Sequence, residues 1–129
     1  MGEKQRTISK EVSLSDIGLH TGKKVNLTFC PVKENYGIKF QRTDLEGQPI
    51  IEADVDYVTD IQRGTTLTKN GNSVSTIEHS LAALTGLGID NCLIKIDSQE
   101  VPIMDGSSKP FIEILKKAGI KELDADKNY

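Results

Sequence analysis

Hydrophobic positions early in the chain recur with a period of two. Ile8, Val12 and Leu14 alternate with polar residues, and so do Val25, Leu27 and Phe29, the spacing of half-buried antiparallel strands. Between these runs, Ser15-Asp16-Ile17-Gly18-Leu19-His20-Thr21-Gly22 reads as a turn with two glycines. Pro31 to Gly37 is a second turn, after which Ile38 and Phe40 share one face of a third strand. Over residues 44–70 the pattern weakens. Gly47-Gln48-Pro49 breaks the chain, short β-like pieces follow, and Lys69-Asn70-Gly71-Asn72 is a strong turn signal.

The period then changes. Ile77, Leu81 and Leu84 recur at helical spacing with alanines between them, and Gly86 and Gly88 offer a left-handed end. From Asn91 to Asp97, Cys92, Ile94 and Ile96 alternate with Leu93 and Lys95 and both faces are fairly apolar, as in a central strand covered on both sides, or on one side with an interface on the other. Glu100 to Gly106 is a short extended piece ending in a turn. A second helix follows, with Ser107 or Ser108 as its cap and Pro110 in the first turn. Phe111, Ile114, Leu115 and Ala118 form its apolar stripe, and Gly119 stops it. The tail from Lys121 to Tyr129 is polar and reads as a linker or a cut end. These elements predict an α+β fold. It is a two-layer sandwich with a mainly antiparallel sheet of about five strands, two helices on one face, and a small β insert around residues 44–70. The predicted domain covers 1–120, and 121–129 is the linker or truncated tail.

Composition narrows the class only slightly. The 129 residues fit one domain, and 36% hydrophobic and 27% charged residues are ordinary for a soluble protein. A net charge of −3 without a basic cluster gives no nucleic-acid footprint. No apolar run approaches a transmembrane span, and no signal-peptide core follows Met1. Cys30 and Cys92 each lie in a β-like segment and read as buried thiols, in keeping with a reducing cytoplasm.

The candidate chemistry centres on Glu78-His79 at the start of the first helix. Ser75-Thr76-Ile77-Glu78 fits a capping box, which by itself accounts for Glu78. The alternative is a general base beside a metal-bound water, with His79 as a ligand. A catalytic zinc takes about three protein ligands, and the only other histidine is His20 in its glycine-flanked turn. No His-Glu-x-x-His or Cys-x-x-Cys is present. The chain therefore does not complete a zinc site from its own histidines and cysteines. His20 is either a turn residue or a loop donor to a phosphate or sugar. Asp105-Gly106 reads as a turn, and Asp90-Asn91 as a helix end.

Four segments together resemble the zinc-dependent UDP-3-O-acyl-N-acetylglucosamine deacetylases of bacterial lipid A biosynthesis. They are Asp16 to Gly22, Ser75-Thr76-Ile77-Glu78-His79, Leu84-Thr85-Gly86-Leu87-Gly88-Ile89-Asp90-Asn91, and Glu100 to Phe111. The resemblance covers about residues 6–120, the N-terminal half of that enzyme. It implies two similar domains, each a sheet carrying two helices, with the active site between facing helix layers. It implies that His79 is a zinc ligand and that Glu78 is the general base; His20 is a candidate for the substrate side of the cleft. The remaining ligands, a histidine and an aspartate, belong to a second domain that this chain lacks.

The expectation is thus the N-terminal half of a cytoplasmic amide hydrolase acting on UDP-3-O-acyl-N-acetylglucosamine, with one zinc ligand here. The isolated chain is expected to be inactive and to self-associate through its helix face. The alternative is a non-catalytic binding or scaffold module that keeps only the fold.

Overall fold

The most apolar strand organises the molecule. The structure, a computed structural model, describes residues 3–18, 21–60 and 65–127. Its strands are β1 (Lys4–Ile8), β2 (Val12–Ile17), β3 (Lys24–Cys30), β4 (Ile38–Arg42), β5 (Ile50–Glu52), β6 (Val58–Asp60), β7 (Thr66–Lys69) and β8 (Asn72–Ser75). Helix α1 (Glu78–Gly86), strand β9 (Cys92–Ile96), helix α2 (Lys109–Ala118) and strand β10 (Ile120–Asp126) follow. Strand β9 is central in a five-stranded sheet of order β2-β3-β9-β4-β5. It pairs antiparallel with β3 and parallel with β4. The expected central strand is thus confirmed, and the single parallel pair makes the sheet mixed.

Cys92, Ile94 and Ile96 on β9 are fully buried, as are Val25, Leu27 and Phe29 on β3 and Phe40 on β4. The helices close this face with Ala83 and Leu84 from α1 and Phe111, Leu115 and Ala118 from α2. Phe29 and Phe111 meet edge to face, with ring centroids 6.5 Å apart. Each buried Val, Leu, Ile or Phe side chain here contributes roughly 1.5–3 kcal/mol by leaving water. The predicted stripe on α2 is therefore the buried one, and Gly119 at φ +82° ends that helix. Ser108 is the cap residue without a side-chain cap bond; the Ser107 hydroxyl instead accepts from Lys109 N. Among the described residues no helix is long and apolar enough to cross a membrane.

Three boundaries differ from the sequence reading. The insert is displaced: β5 joins the main sheet, and the separate small sheet is β6-β7-β8, closed by the Asn70-Gly71 turn at φ +53° and +81°. That two-residue turn is the one its sequence demanded. Ile8 belongs to β1, which does not enter the main sheet but pairs with β10. The polar stretch from Lys121 is largely this tenth strand. It buries little, with only Leu123 and Ala125 half-buried, so hydropathy gave no sign of it. Its order comes from the backbone ladder to β1, extended by Lys127 N donating to Glu3 O.

Asp90-Asn91 also does more than end a helix. Gly88, at φ +70°, takes that role. The Asp90 carboxylate accepts Arg6 N at 2.8 Å, while Asn91 accepts Gly37 N and donates to Gln5 Oε1. The pair fastens β1 and the 31–37 turn to the start of β9.

Candidate functional site

The approach to α1 is set by strand pairing. Ser75 closes β8, and its N–H donates to Gln99 O while its carbonyl accepts Val101 N. Both peptide groups are thereby committed to the segment after β9. Thr76 follows in the left-handed region at φ +61°, buried and β-branched. A residue of this type there costs about 1–3 kcal/mol and persists only where its surroundings hold it. Ile77 occupies the cap position with a fully buried side chain, and the helix proper begins at Glu78.

The expected capping box therefore does not form. Ser75 lies in a strand, no side chain caps α1, and Glu78 is the first helical residue rather than the third. Glu78 Oε2 instead accepts the backbone N–H of Thr65 at 2.7 Å, while Thr65 O accepts Ile77 N at 3.3 Å. Two peptide groups on either side of Thr65 thus hold the first turn of α1. A carboxylate here also sits at the positive end of the helix dipole. His79 is adjacent and half-buried, one position further round the helix. Among the described residues the Thr65 N–H is the donor to the Glu78 carboxylate.

Glu100 is the residue that sequence reasoning missed. It is 1% exposed, yet carries a carboxylate. Oε1 accepts Thr21 N and Oε2 accepts the Thr76 hydroxyl, each at 3.3 Å. A buried carboxylate needs such partners. The available signal was an acid set directly before Val101-Pro102-Ile103, in a segment with no helical pattern to turn it outward. His20 lies outside the described residues. On either side of it, Gly18 N donates to Lys23 O and Gly22 N to Gly18 O.

The remaining candidates are structural. Burial, then the hydrogen bond to Glu11, pushes the Cys30 thiol up to about 11, and burial pushes Cys92 up to about 12. Both are protonated at neutral pH and unbridged. Cys30 lies opposite Leu93, so it and Cys92 face opposite sides of the sheet. Asp105 is a turn residue whose carboxyl is held below the usual range by the Ser107 hydroxyl and N–H. A polar cavity among Gln5, Asn35, Asp90, Asn91 and Lys127 lies past the C-terminal end of α1, away from Glu78. Among the described residues no three His, Cys, Asp or Glu side chains cluster as a metal site. They do not, on their own, fit a zinc ion.

The comparisons with known proteins bear on what this arrangement belongs to. The family model described as UDP-3-O-acyl N-acetylglycosamine deacetylase matches residues 5–129. The chain belongs to that family. It is 50% identical over 127 residues to a UDP-3-O-acyl-N-acetylglucosamine deacetylase of Idiomarina loihiensis, covering 98% of this chain and 42% of that protein. It is 48% identical to a bifunctional enzyme LpxC/FabZ of Porphyromonas gingivalis, covering 98% of this chain and 28% of the relative. A bifunctional enzyme LpxC/FabZ of Bacteroides thetaiotaomicron is 50% identical over 126 residues, of which the chain covers 27% of the length. The chain thus spans about a quarter to two fifths of the length of these relatives.

Proposed function

We propose that this chain is the N-terminal half of a zinc-dependent deacetylase. The full-length parent would hydrolyse the acetamide of UDP-3-O-acyl-N-acetylglucosamine to acetate and the free amine in lipid A biosynthesis. Family membership across residues 5–129 supports the reading. The structural observation that supports it is the Glu78 carboxylate in the first turn of α1, next to His79 and held through one oxygen by Thr65 N.

In this reading Glu78 is the general base. Its other oxygen takes a proton from the water that attacks the acetamide carbonyl, and the proton goes on to the departing amine as the C–N bond breaks. The Thr65 N–H fixes the rotamer so that the carboxylate is already placed when substrate arrives. His79 would be this half's metal ligand, with the other ligands supplied by the rest of the parent. Zinc, when bound, makes a water more acidic and polarises a carbonyl. His20 would sit on the substrate side, and residues 121–129 would lead on to the second domain. Alone, the chain would be inactive. The parent would work in the cytoplasm.

The face of α1 left outward is formed by Ala82, Thr85 and Gly86, and the large exposed hydrophobics among the described residues (Ile17, Ile50, Ile120) are elsewhere. A second copy packing helix to helix would meet small side chains, and sedimentation of this chain tests that self-association.

Glu78→Gln in the full-length parent keeps an oxygen for Thr65 N but removes the base. It is expected to lower kcat by about 10²–10⁴-fold with zinc content and folding retained. Turnover at the wild-type rate would rule out the assigned role.

A further inference from the structure

We propose that Glu100 is a positioning residue that acts on Glu78 and His79 through Thr76; the proposal rests on the functional reading above. Three observations converge on its carboxylate. Oε2 accepts the hydroxyl of Thr76, the buried residue at φ +61° two positions before Glu78. Oε1 accepts Thr21 N from the 18–22 turn. Gly18 is pressed against the same oxygen so closely that a Cβ there would lie 2.6 Å from it.

The geometry explains why this matters at the helix start. Thr76 is the pivot between β8 and α1, and its conformation is one that a β-branched residue leaves when unrestrained. Rotation at Thr76 would swing Ile77 and Glu78 together. That motion would part Ile77 N from Thr65 O and Thr65 N from the Glu78 carboxylate. The Ser75 N to Gln99 O and Val101 N to Ser75 O bonds do not involve the Glu100 side chain. Losing that side chain therefore leaves the strand pairing and loosens the pivot. A displacement of this kind affects rate more than affinity, because it moves a reacting group without touching the remainder of the substrate.

The test uses the full-length parent, loaded with zinc and normalised to folded protein. Glu100→Leu is expected to lower kcat by about tenfold or more with KM changed by less than about threefold. Thr76→Val, isosteric and lacking the hydroxyl, should shift kcat in the same direction. Glu100→Gln keeps an oxygen for Thr21 N and offers an amide to the Thr76 hydroxyl, so kcat should recover to within about threefold of wild type. Wild-type kcat in Glu100→Leu, or a glutamine variant no better than leucine, overturns the proposal. Should the leucine variant fail to fold, Thr76→Val decides, and wild-type kcat there overturns it. A wild-type parent without deacetylase turnover defeats the functional reading alone. Amide exchange at Thr65 in the Thr76→Val parent then decides the positioning role. Exchange faster by about tenfold supports it, and unchanged exchange overturns it.

Discussion

In the five-stranded sheet, Phe29, Phe40, Ile94 and Ile96 are all fully buried, and Phe29 meets Phe111 edge-on across to α2. Around Thr76 and Glu78, position is instead set by hydrogen bonds with Thr65, Gln99 and Glu100. The first arrangement is redundant and non-directional, since each apolar group is in contact with several others. The second is directional, and depends on the alignment of a few named bonds. The sheet therefore carries stability, while the junction carries placement. A mutation in one should be read by denaturation, and a mutation in the other by rate.

The largest stability effect should come from the sheet face. Phe111→Ala removes the ring from the Phe29 edge contact and is expected to cost about 3–5 kcal/mol in urea denaturation, with an unchanged slope. A loss below about 1 kcal/mol would place the apolar face outside the cooperative core and break the comparison.

A smaller effect should come from the polar tie between the main sheet and the small one. Arg42 donates two bonds to Asp44 and a third to Ser73 O in β8. The Arg42 hydrogen bonds hold the Asp44 carboxyl below its usual value. Its contribution is therefore present above the ordinary carboxylate range and is lost as pH falls through the depressed folded value. Asp44→Asn should cost about 1 kcal/mol at pH 7 and flatten the acid limb of the stability profile. A variant with an unchanged acid limb would show that the tie does not couple the two sheets.

The smallest expected effect is also the sharpest test of the junction. A capping box would make Ser75→Ala cost about 1 kcal/mol. Here Ser75 is the end of β8, and its hydroxyl reaches only Gln99 O, at 3.4 Å on the exposed side. The change should fall within about 0.5 kcal/mol. A full cap-sized loss would restore Ser75 as the cap in solution.

These two regions also differ in how far the sequence disclosed them. Period-two runs gave β2, β3 and β9, and the i, i+3, i+4, i+7 stripe gave α2, because burial leaves a periodic trace. The Asn70-Gly71 hairpin was legible because its backbone demands those residues. Strand β10 was not, because it is held by backbone pairing and buries almost nothing. The capping box misled for a related reason. The local spacing fits, but pairing of Ser75 with residues 99–101 displaced the helix start by two positions. Glu78 and His79 were singled out by residue type, whereas Glu100 depends on contacts 79 and 24 residues away in sequence, which no local pattern encodes.

In the proposed function Glu78 and His79 form half of a site, complete only with the remainder of the parent. Equilibrium zinc binding to this 129-residue chain, run beside the full-length protein, tests that most directly. A single imidazole is a poor zinc site, so the chain alone should show no stoichiometric binding below about 10 µM. The parent should take up one equivalent and lose it in His79→Ala. One tight equivalent on the isolated chain would contradict the account.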